Sequence, residues 1–247
     1  MSEVAIVTGG GNGIGRSVCL RFARAGIALA IVDRDLKGAE SVRDEVRGLG
    51  GEAEAHKVDV TKSDEVHQVV EEVRNRHGRI DILCNIAGGS FYRKRIDELT
   101  WNQWNEVVNA NLKGTFLFCR EVGRVMLKEK KGRIVNTASN YGITGSETRT
   151  PYGAAKAGII GFSKSLAMEL APHGILVNVI APGPTDTPTV MSHSTPEARF
   201  ERAQREIPLR RTGKPEDIAE GFFFFVGPES AYMTGQTLHV NGGIVMV

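Results

Sequence analysis

The chain of 247 residues is poor in the features that announce several whole classes of protein. Its three cysteines, Cys19, Cys84 and Cys119, form no C-x-x-C and have no histidine at ligand spacing. They exclude a disulfide framework, and their apolar neighbours predict buried thiols in a reducing cytoplasm. The six histidines are scattered, so no metal site is expected. An excess of one charge is missing too: 31 basic residues stand against 29 acidic ones, a formal net charge of +2. Without a basic stripe, neither nucleic acid nor a membrane surface is the expected partner. No apolar run is long enough to cross a bilayer, and the opening MSEVAIVTGG runs straight into an expected strand, leaving no room for a secretory leader. There is no internal repeat and no low-complexity tract. What is left is an ordinary globular composition, 41% hydrophobic and 24% charged, sufficient for one α/β domain spanning 1–247.

Short apolar runs alternate with helical periodicity along most of the chain. Strands are expected at Val4–Val7, Ala28–Val32, Ala53–Val58, Ile80–Asn85, Ile134–Thr137, Leu176–Ile180 and Thr237–Val240, with helices between them, including one long helix from Trp101 to about Glu129. This alternation predicts a doubly wound (Rossmann) α/β fold with a seven-stranded, mostly parallel sheet and helices on both faces. The most polar and least regular stretch, about 187–211, reads as a substrate lid. Four consecutive aromatics, Phe222 to Phe225, cannot all face one core from one helix, so some of them should meet a second subunit.

The first strand runs into TGGGNGIG (Thr8 to Gly15) and then a helix. Glycines at such a turn let the backbone approach a pyrophosphate, and the free N–H groups of the helix N-terminus favour the anion, although a tight βα turn needs small residues anyway. Asp33 ends the second strand about twenty residues further on, where a carboxylate can accept hydrogen bonds from an adenosine ribose or cap the next helix. Asp33 would repel a 2′-phosphate, and Asn12 brings no positive charge to attract one, which favours NAD over NADP; Arg34 pulls the other way. Asp59-Val60 and Asn85-Ile86-Ala87-Gly88 also lie just past strand ends, where they either line the nucleotide pocket or simply form turns.

Further along, Tyr152 and Lys156 stand four residues apart on a helix, so their side chains share a face. A phenol beside an ammonium is an acid/base device, because the positive charge favours phenolate. Ser139 lies thirteen residues upstream, after the strand at Ile134. Asn111 sits among apolar neighbours in the long helix and needs buried partners.

In this order these residues resemble the short-chain dehydrogenase/reductase family over nearly the whole chain. Its T-G-x-x-x-G-x-G motif is present as Thr8, Gly9, Gly13 and Gly15, with Ile14 in its usual place. Its acidic strand end matches Asp33, its Asp-Val pair matches Asp59 and Val60, and its Asn-Asn-Ala-Gly motif survives as Asn85, Ile86, Ala87 and Gly88. The catalytic Asn, Ser, Tyr and Lys of the family fall on Asn111, Ser139, Tyr152 and Lys156, with Ala138 replacing the first of a usual serine pair. Pro182, Gly183 and Thr187 match the segment that holds the nicotinamide carboxamide, with Thr185 replacing an aliphatic residue, and Asn241 stands where an aspartate often precedes the closing glycines.

The resemblance implies hydride transfer between nicotinamide and a secondary alcohol or ketone. Ser139 would hydrogen-bond the substrate oxygen and Tyr152 would exchange its proton. Lys156 would hold the nicotinamide ribose and keep Tyr152 acidic, while Asn111 orients a water beside it. The family's usual assembly, a tetramer built through the Asn111 and Tyr152 helices and through the last helix and strand, is expected as a homotetramer here. The pattern is similar to 3-oxoacyl thioester reductases, which commonly use NADP; sugar, polyol and cyclic-alcohol dehydrogenases carry the same motifs. Arg93, Lys94 and Arg95 read either as a solvated face or as a cationic lip that attracts an anionic substrate. A non-enzymatic dinucleotide sensor on the same fold is the rival from another class, and it would have no need of the intact Asn111, Ser139, Tyr152 and Lys156 set.

Overall fold

A computed structural model describes residues 2–247. The first strand, β1 (Val4–Thr8), is buried at every position, as a parallel strand covered on both faces must be. It leads through the glycine turn into α1 (Gly13–Ala23), followed by β2 (Ala28–Asp33), α2 (Leu36–Gly48), β3 (Ala53–Lys57), α3 (Ser63–His77) and β4 (Ile82–Asn85). The second half holds α4 (Trp101–Val108), α5 (Gly114–Glu129), β5 (Gly132–Thr137), α6 (Tyr141–Thr144), α7 (Thr150–Leu170) and β6 (Ile175–Pro182). The short α8 (Pro188–Met191) and α9 (Pro196–Glu206) precede α10 (Pro215–Val226) and β7 (Thr237–Val240).

The seven strands form one sheet in the order β3-β2-β1-β4-β5-β6-β7, and every pair is parallel. The order reverses between β1 and β4, which opens a crevice at the carboxyl ends of those strands, the usual ligand position of an open α/β sheet. Two apolar cores fill the faces. One gathers Val69, Val73, Phe118, Val122 and Leu170 beneath α3, α5 and α7. The other gathers Val18, Phe22, Val42, Phe222 and Phe225 beneath α1, α2 and α10. All seven expected strands are present, and the three cysteines are free and buried.

Two expectations need correction. The long helix from Trp101 to Glu129 is broken by a π-helical segment at Asn109–Lys113. Asn111 lies inside that segment, where the widened turn redirects side chains. The stretch 187–211 is not irregular: Thr187 and Thr195 cap α8 and α9 with their hydroxyls, and a proline follows each cap, the arrangement that starts a helix even in a polar sequence. The four phenylalanines do not all enter one core. Phe222 and Phe225 are buried, Phe223 lies under the Arg21 guanidinium at 3.4 Å, and Phe224 is 36% exposed.

Candidate active site

A cleft of about 1040 Å³ runs along the carboxyl ends of the strands from the glycine turn to α9. At its first end the chain has no room for side chains. A Cβ on Gly15 would lie 2.0 Å from the Gly9 carbonyl oxygen, so the turn closes only with glycine there. Thr8 Oγ1 accepts hydrogen bonds from the N–H groups of Ile86 and Ala87 at 3.0 and 3.2 Å. That ties the end of β1 to the end of β4 and makes one continuous wall. Asn12, Gly13 and Ile14 complete the helix N-terminal side of this wall. Exposed main chain at a helix N-terminus, with no side chain in the way, fits a pyrophosphate.

Asp33 also lines the cleft. One of its oxygens accepts from Gly11 N–H and the other from Asp35 N–H, each at 3.0 Å. The helix-capping role open to Asp33 is taken by Asp35, whose side chain accepts from Lys37 N–H, so Asp33 is free to face the ligand with its remaining lone pairs. Arg34 lies on the same wall, 5.9 Å above the Phe91 ring. Asp59 and Val60 line it as well, with Asp59 held by the Thr61 hydroxyl and N–H at 2.7 and 2.9 Å.

Asn85 does not join them. Its amide donates to Asn136 Oδ1 at 2.9 Å and contacts Cys119 Sγ, and Asn136 donates on to Ser163. The expected cofactor contact is corrected to a buried polar network, because the pleat of β4 turns this side chain toward α5. The cleft takes Ile86, Ala87 and Gly88 instead.

The second end brings Ser139, Tyr152 and Lys156 together from β5 and α7. Lys156 Nζ lies 5.5 Å from the Tyr152 ring centre and donates to the Thr137 carbonyl at 2.7 Å. Ser139 is held by a 3.2 Å hydrogen bond from Tyr141 N–H and by Asn140 Oδ1 at 3.1 Å. Burial dominates the titration of both main groups: it pushes the Lys156 amine down to about 7 and the Tyr152 phenol above its ordinary value. The nearby Ser139 hydroxyl and the charge of Arg149 oppose the second shift without overcoming it. The expected lowering of the phenol by its lysine is therefore corrected. Desolvation outweighs the charge of Arg149, which keeps the Tyr152 phenol protonated at neutral pH.

Asn111 stands behind this wall. It is fully buried, and its amide donates to the carbonyls of Gly89 and Val107 at 3.0 and 2.8 Å. A Cβ on Gly88 would come 2.3 Å from Asn111 Oδ1, so the side chain is spent on holding the Gly88–Gly89 loop and is closed off from the cleft. Pro182, Gly183, Thr185 and Thr187 line the roof. Thr185 Oγ1 donates to the Gly183 carbonyl at 3.0 Å, so the hydroxyl in place of an aliphatic group is satisfied internally. Thr187 Cγ2 sits 3.3 Å from where a Gly13 Cβ would be, bringing the start of α8 against the glycine turn.

Three residues that the sequence reading passed over complete the second end: Tyr141, Arg149 and Arg202. Arg149 lies three residues before Tyr152, a spacing that puts both at the start of one helix. Nothing in the sequence joins Arg202 to them. Arg93 reaches the cleft, but its neighbour Arg95 is exposed and paired with Asp97, so the basic run divides between lip and solvated face.

A dinucleotide cradle joined to a serine, tyrosine and lysine at the far end of one cleft defines an oxidoreductase site. The comparisons agree: residues 9–245 match the family model described as enoyl-(acyl carrier protein) reductase, and the chain belongs to the short-chain dehydrogenase/reductase family. It is 39% identical over 244 residues to the 3-oxoacyl-[acyl-carrier-protein] reductase FabG of Thermotoga maritima, covering 99% of this chain and 98% of that one. Among solved structures it is similar to an actinorhodin polyketide ketoreductase with NADPH, at a TM-score of 0.93 and 36% identity, covering 98% and 97% of the two chains. It is also similar to an NAD+-bound xylitol dehydrogenase, at 0.91 and 31%, covering 98% of each.

Proposed function

We propose that the protein uses NAD(H) to interconvert a ketone and a secondary alcohol, with Ser139, Tyr152 and Lys156 carrying the chemistry. The convergence of these side chains on the cleft that begins at the glycine turn is the observation that carries the reading. When bound, the nicotinamide supplies or accepts the hydride. Ser139 donates a hydrogen bond to the substrate oxygen. Tyr152, kept protonated by burial, delivers the proton that turns the developing alkoxide into an alcohol. Lys156, with an amine near 7, replaces that proton and holds the nicotinamide ribose. Asn111 is a positioning residue for the Gly88–Gly89 wall, and its buried Oδ1 has no donor among the described residues.

The choice of NAD rests on Asp33, whose carboxylate faces the adenosine end, over Arg34 beside it. The names of the relatives point to 3-oxoacyl thioesters first, and the xylitol dehydrogenase likeness favours polyols as the second reading. The helices α8 and α9 are assigned to the lid over this site. A homotetramer is favoured by large apolar side chains left exposed on the helices of the second half, Trp101 at 72%, Phe116 at 42% and Met168 at 80%. The buried free thiols suit the cytoplasm, and no helix is long and apolar enough to cross a membrane.

A panel of secondary alcohols, sugars and oxoacyl thioesters, assayed with NAD and NADP side by side, tests the reading. Tyr152→Phe should cut turnover of any active substrate by about 10²–10⁴-fold while NADH still binds. Full turnover by that variant would remove Tyr152 from its role.

A further inference from the structure

The substrate end of the cleft carries more positive charge than hydride transfer requires. Tyr141 is the centre of it. Its N–H holds Ser139 Oγ at 3.2 Å, so whatever surrounds its ring lies within one side chain of the reacting oxygen. Arg202 Nη2 donates to the Tyr141 hydroxyl at 3.1 Å, and the Arg149 guanidinium lies 5.1 Å from the ring centre. Arg93 faces the same space from the mouth. Burial alone would raise the Tyr141 phenol, yet the hydrogen bond from Arg202 and the charges of Arg202, Arg149 and Arg93 bring it below its ordinary value.

Two of these three cations have no protein acid among the described residues. Arg202 has Glu206 at 2.7 Å, but among the described residues Arg149 and Arg93 have neither an ion pair nor a side-chain hydrogen bond. Glu106, the carboxylate that lines this end, already accepts the Tyr92 hydroxyl at 2.5 Å. Arg149 is partly buried, and both Arg93 and Arg202 act against its charge. Guanidinium groups gathered this way repel one another unless an anion sits between them, and the partly buried Arg149 also loses hydration. An apolar acyl chain laid here would worsen both costs. A planar, forked donor beside a second one is instead the geometry that grips a carboxylate or a phosphate.

We infer that the substrate is itself an anion, a ketone or secondary alcohol whose own carboxylate or phosphate is held by Arg149 and Arg202 over Tyr141, with Arg93 drawing it in from the mouth. This rests on the oxidoreductase reading and narrows it: the neutral acyl group of a thioester or an uncharged polyol is the poorer fit. Arg149 and Arg202 are then specificity residues that fix how far the anion lies from the carbonyl.

The test compares oxo acids, with the carboxylate one to four carbons from the carbonyl, with their methyl esters and with dihydroxyacetone phosphate. In the wild type at least one acid or the phosphate should exceed its neutral counterpart in kcat/KM by about tenfold or more. The separation that works reports the spacing, and acid against phosphate reports the headgroup. Arg149→Gln should collapse the acid-to-ester ratio toward one, and Arg202→Gln gives the same reading if the first variant does not fold.

Calorimetric titration with butyrate and butyramide supplies a readout independent of turnover: the wild type should bind the anion more tightly, and Arg149→Gln should erase the difference. That result with no carbonyl reduced would refute the oxidoreductase reading and keep the anion site. Equal binding of butyrate and butyramide by the wild type, or ratios untouched by both arginine variants, overturns the inference while leaving the reading intact.

Discussion

At the glycine end of the cleft the groups available for recognition are main-chain atoms and the carboxylates of Asp33 and Asp59, supplied by β1, α1, β2 and the turn after β3. At the far end they are guanidinium side chains from the loop before α4, the start of α7, and α9. The first end is rigid by construction, since its glycines leave the backbone no alternative path. The second is assembled from long side chains whose placement depends on helices separated by up to about a hundred residues. A shared nucleotide can be read by the first kind of surface, and a particular substrate by the second. The two ends should therefore respond to mutation differently.

The largest separation comes from Gly15→Val. A Cβ there would overlap the Gly9 carbonyl at 2.0 Å, so the turn must open. Binding of NADH, followed by fluorescence, should fall by about 100-fold or more. Butyrate binding at the arginine end should persist. Loss of both together would mean that the two ends are one cooperative unit rather than two separable surfaces.

That contrast also explains what could be read in the sequence. The strands, the glycine turn and Asp33 follow from local patterns of two or three adjacent elements, so their positions are set by short-range spacing. Tyr152 and Lys156 are legible because one helical turn fixes their distance. Asn85 misleads because the strand pleat, not the motif, decides which face its amide takes, and the Asn136–Ser163 network claims it. Arg202 is invisible because only the folding of α9 over α6 brings it to Tyr141. The order of 187–211 is hidden by its polarity, although the Thr-Pro pairs at Thr187 and Thr195 are helix starts.

Lys156 stands beside Tyr152 at the second end, and its pH behaviour sharpens the comparison. Burial brings its amine from 10.5 to about 7. Between those values the unfolded chain binds a proton that the folded chain does not, so the lysine's contribution to stability rises as pH increases from about 7 toward 10.5. Below 7 both states are protonated and the cost of the buried charge is present in full. Lys156→Met removes this dependence. Urea unfolding at pH 7 and pH 9 should show the variant's advantage over the wild type shrinking by up to about 2.5 kcal/mol across that interval. A difference that stays constant with pH would mean that the amine is not depressed.

Asp33→Ser is expected to act more gently and only on the first end. Serine keeps an acceptor for the Gly11 N–H but removes the negative charge that opposes a 2′-phosphate, while Arg34 remains beside it. The ratio of kcat/KM for NAD over NADP should fall by about tenfold. The preference for oxo acids over esters should hold. A ratio of cofactors that does not move would pass discrimination to Arg34 and break the assignment of that wall to Asp33.

The smallest effect is predicted outside both ends. Phe224 is partly exposed on α10, and its ring packs against Phe225 with ring centres 5.6 Å apart. Phe224→Ser should change the stability of one chain by less than about 1 kcal/mol and leave NADH and butyrate binding alone. If α10 and β7 join two copies, as the expected tetramer requires, light scattering across a dilution series should nevertheless show the variant dissociating at higher concentration than the wild type, because an apolar side chain at an interface is replaced by a hydroxyl. An unchanged dissociation profile would move the contact to the helices of the second half on which Trp101, Phe116 and Met168 stand exposed. Those helices are α4, α5 and α7, and Arg149 immediately precedes α7; an interface there would tie the arginine end, and not the glycine end, to the state of assembly.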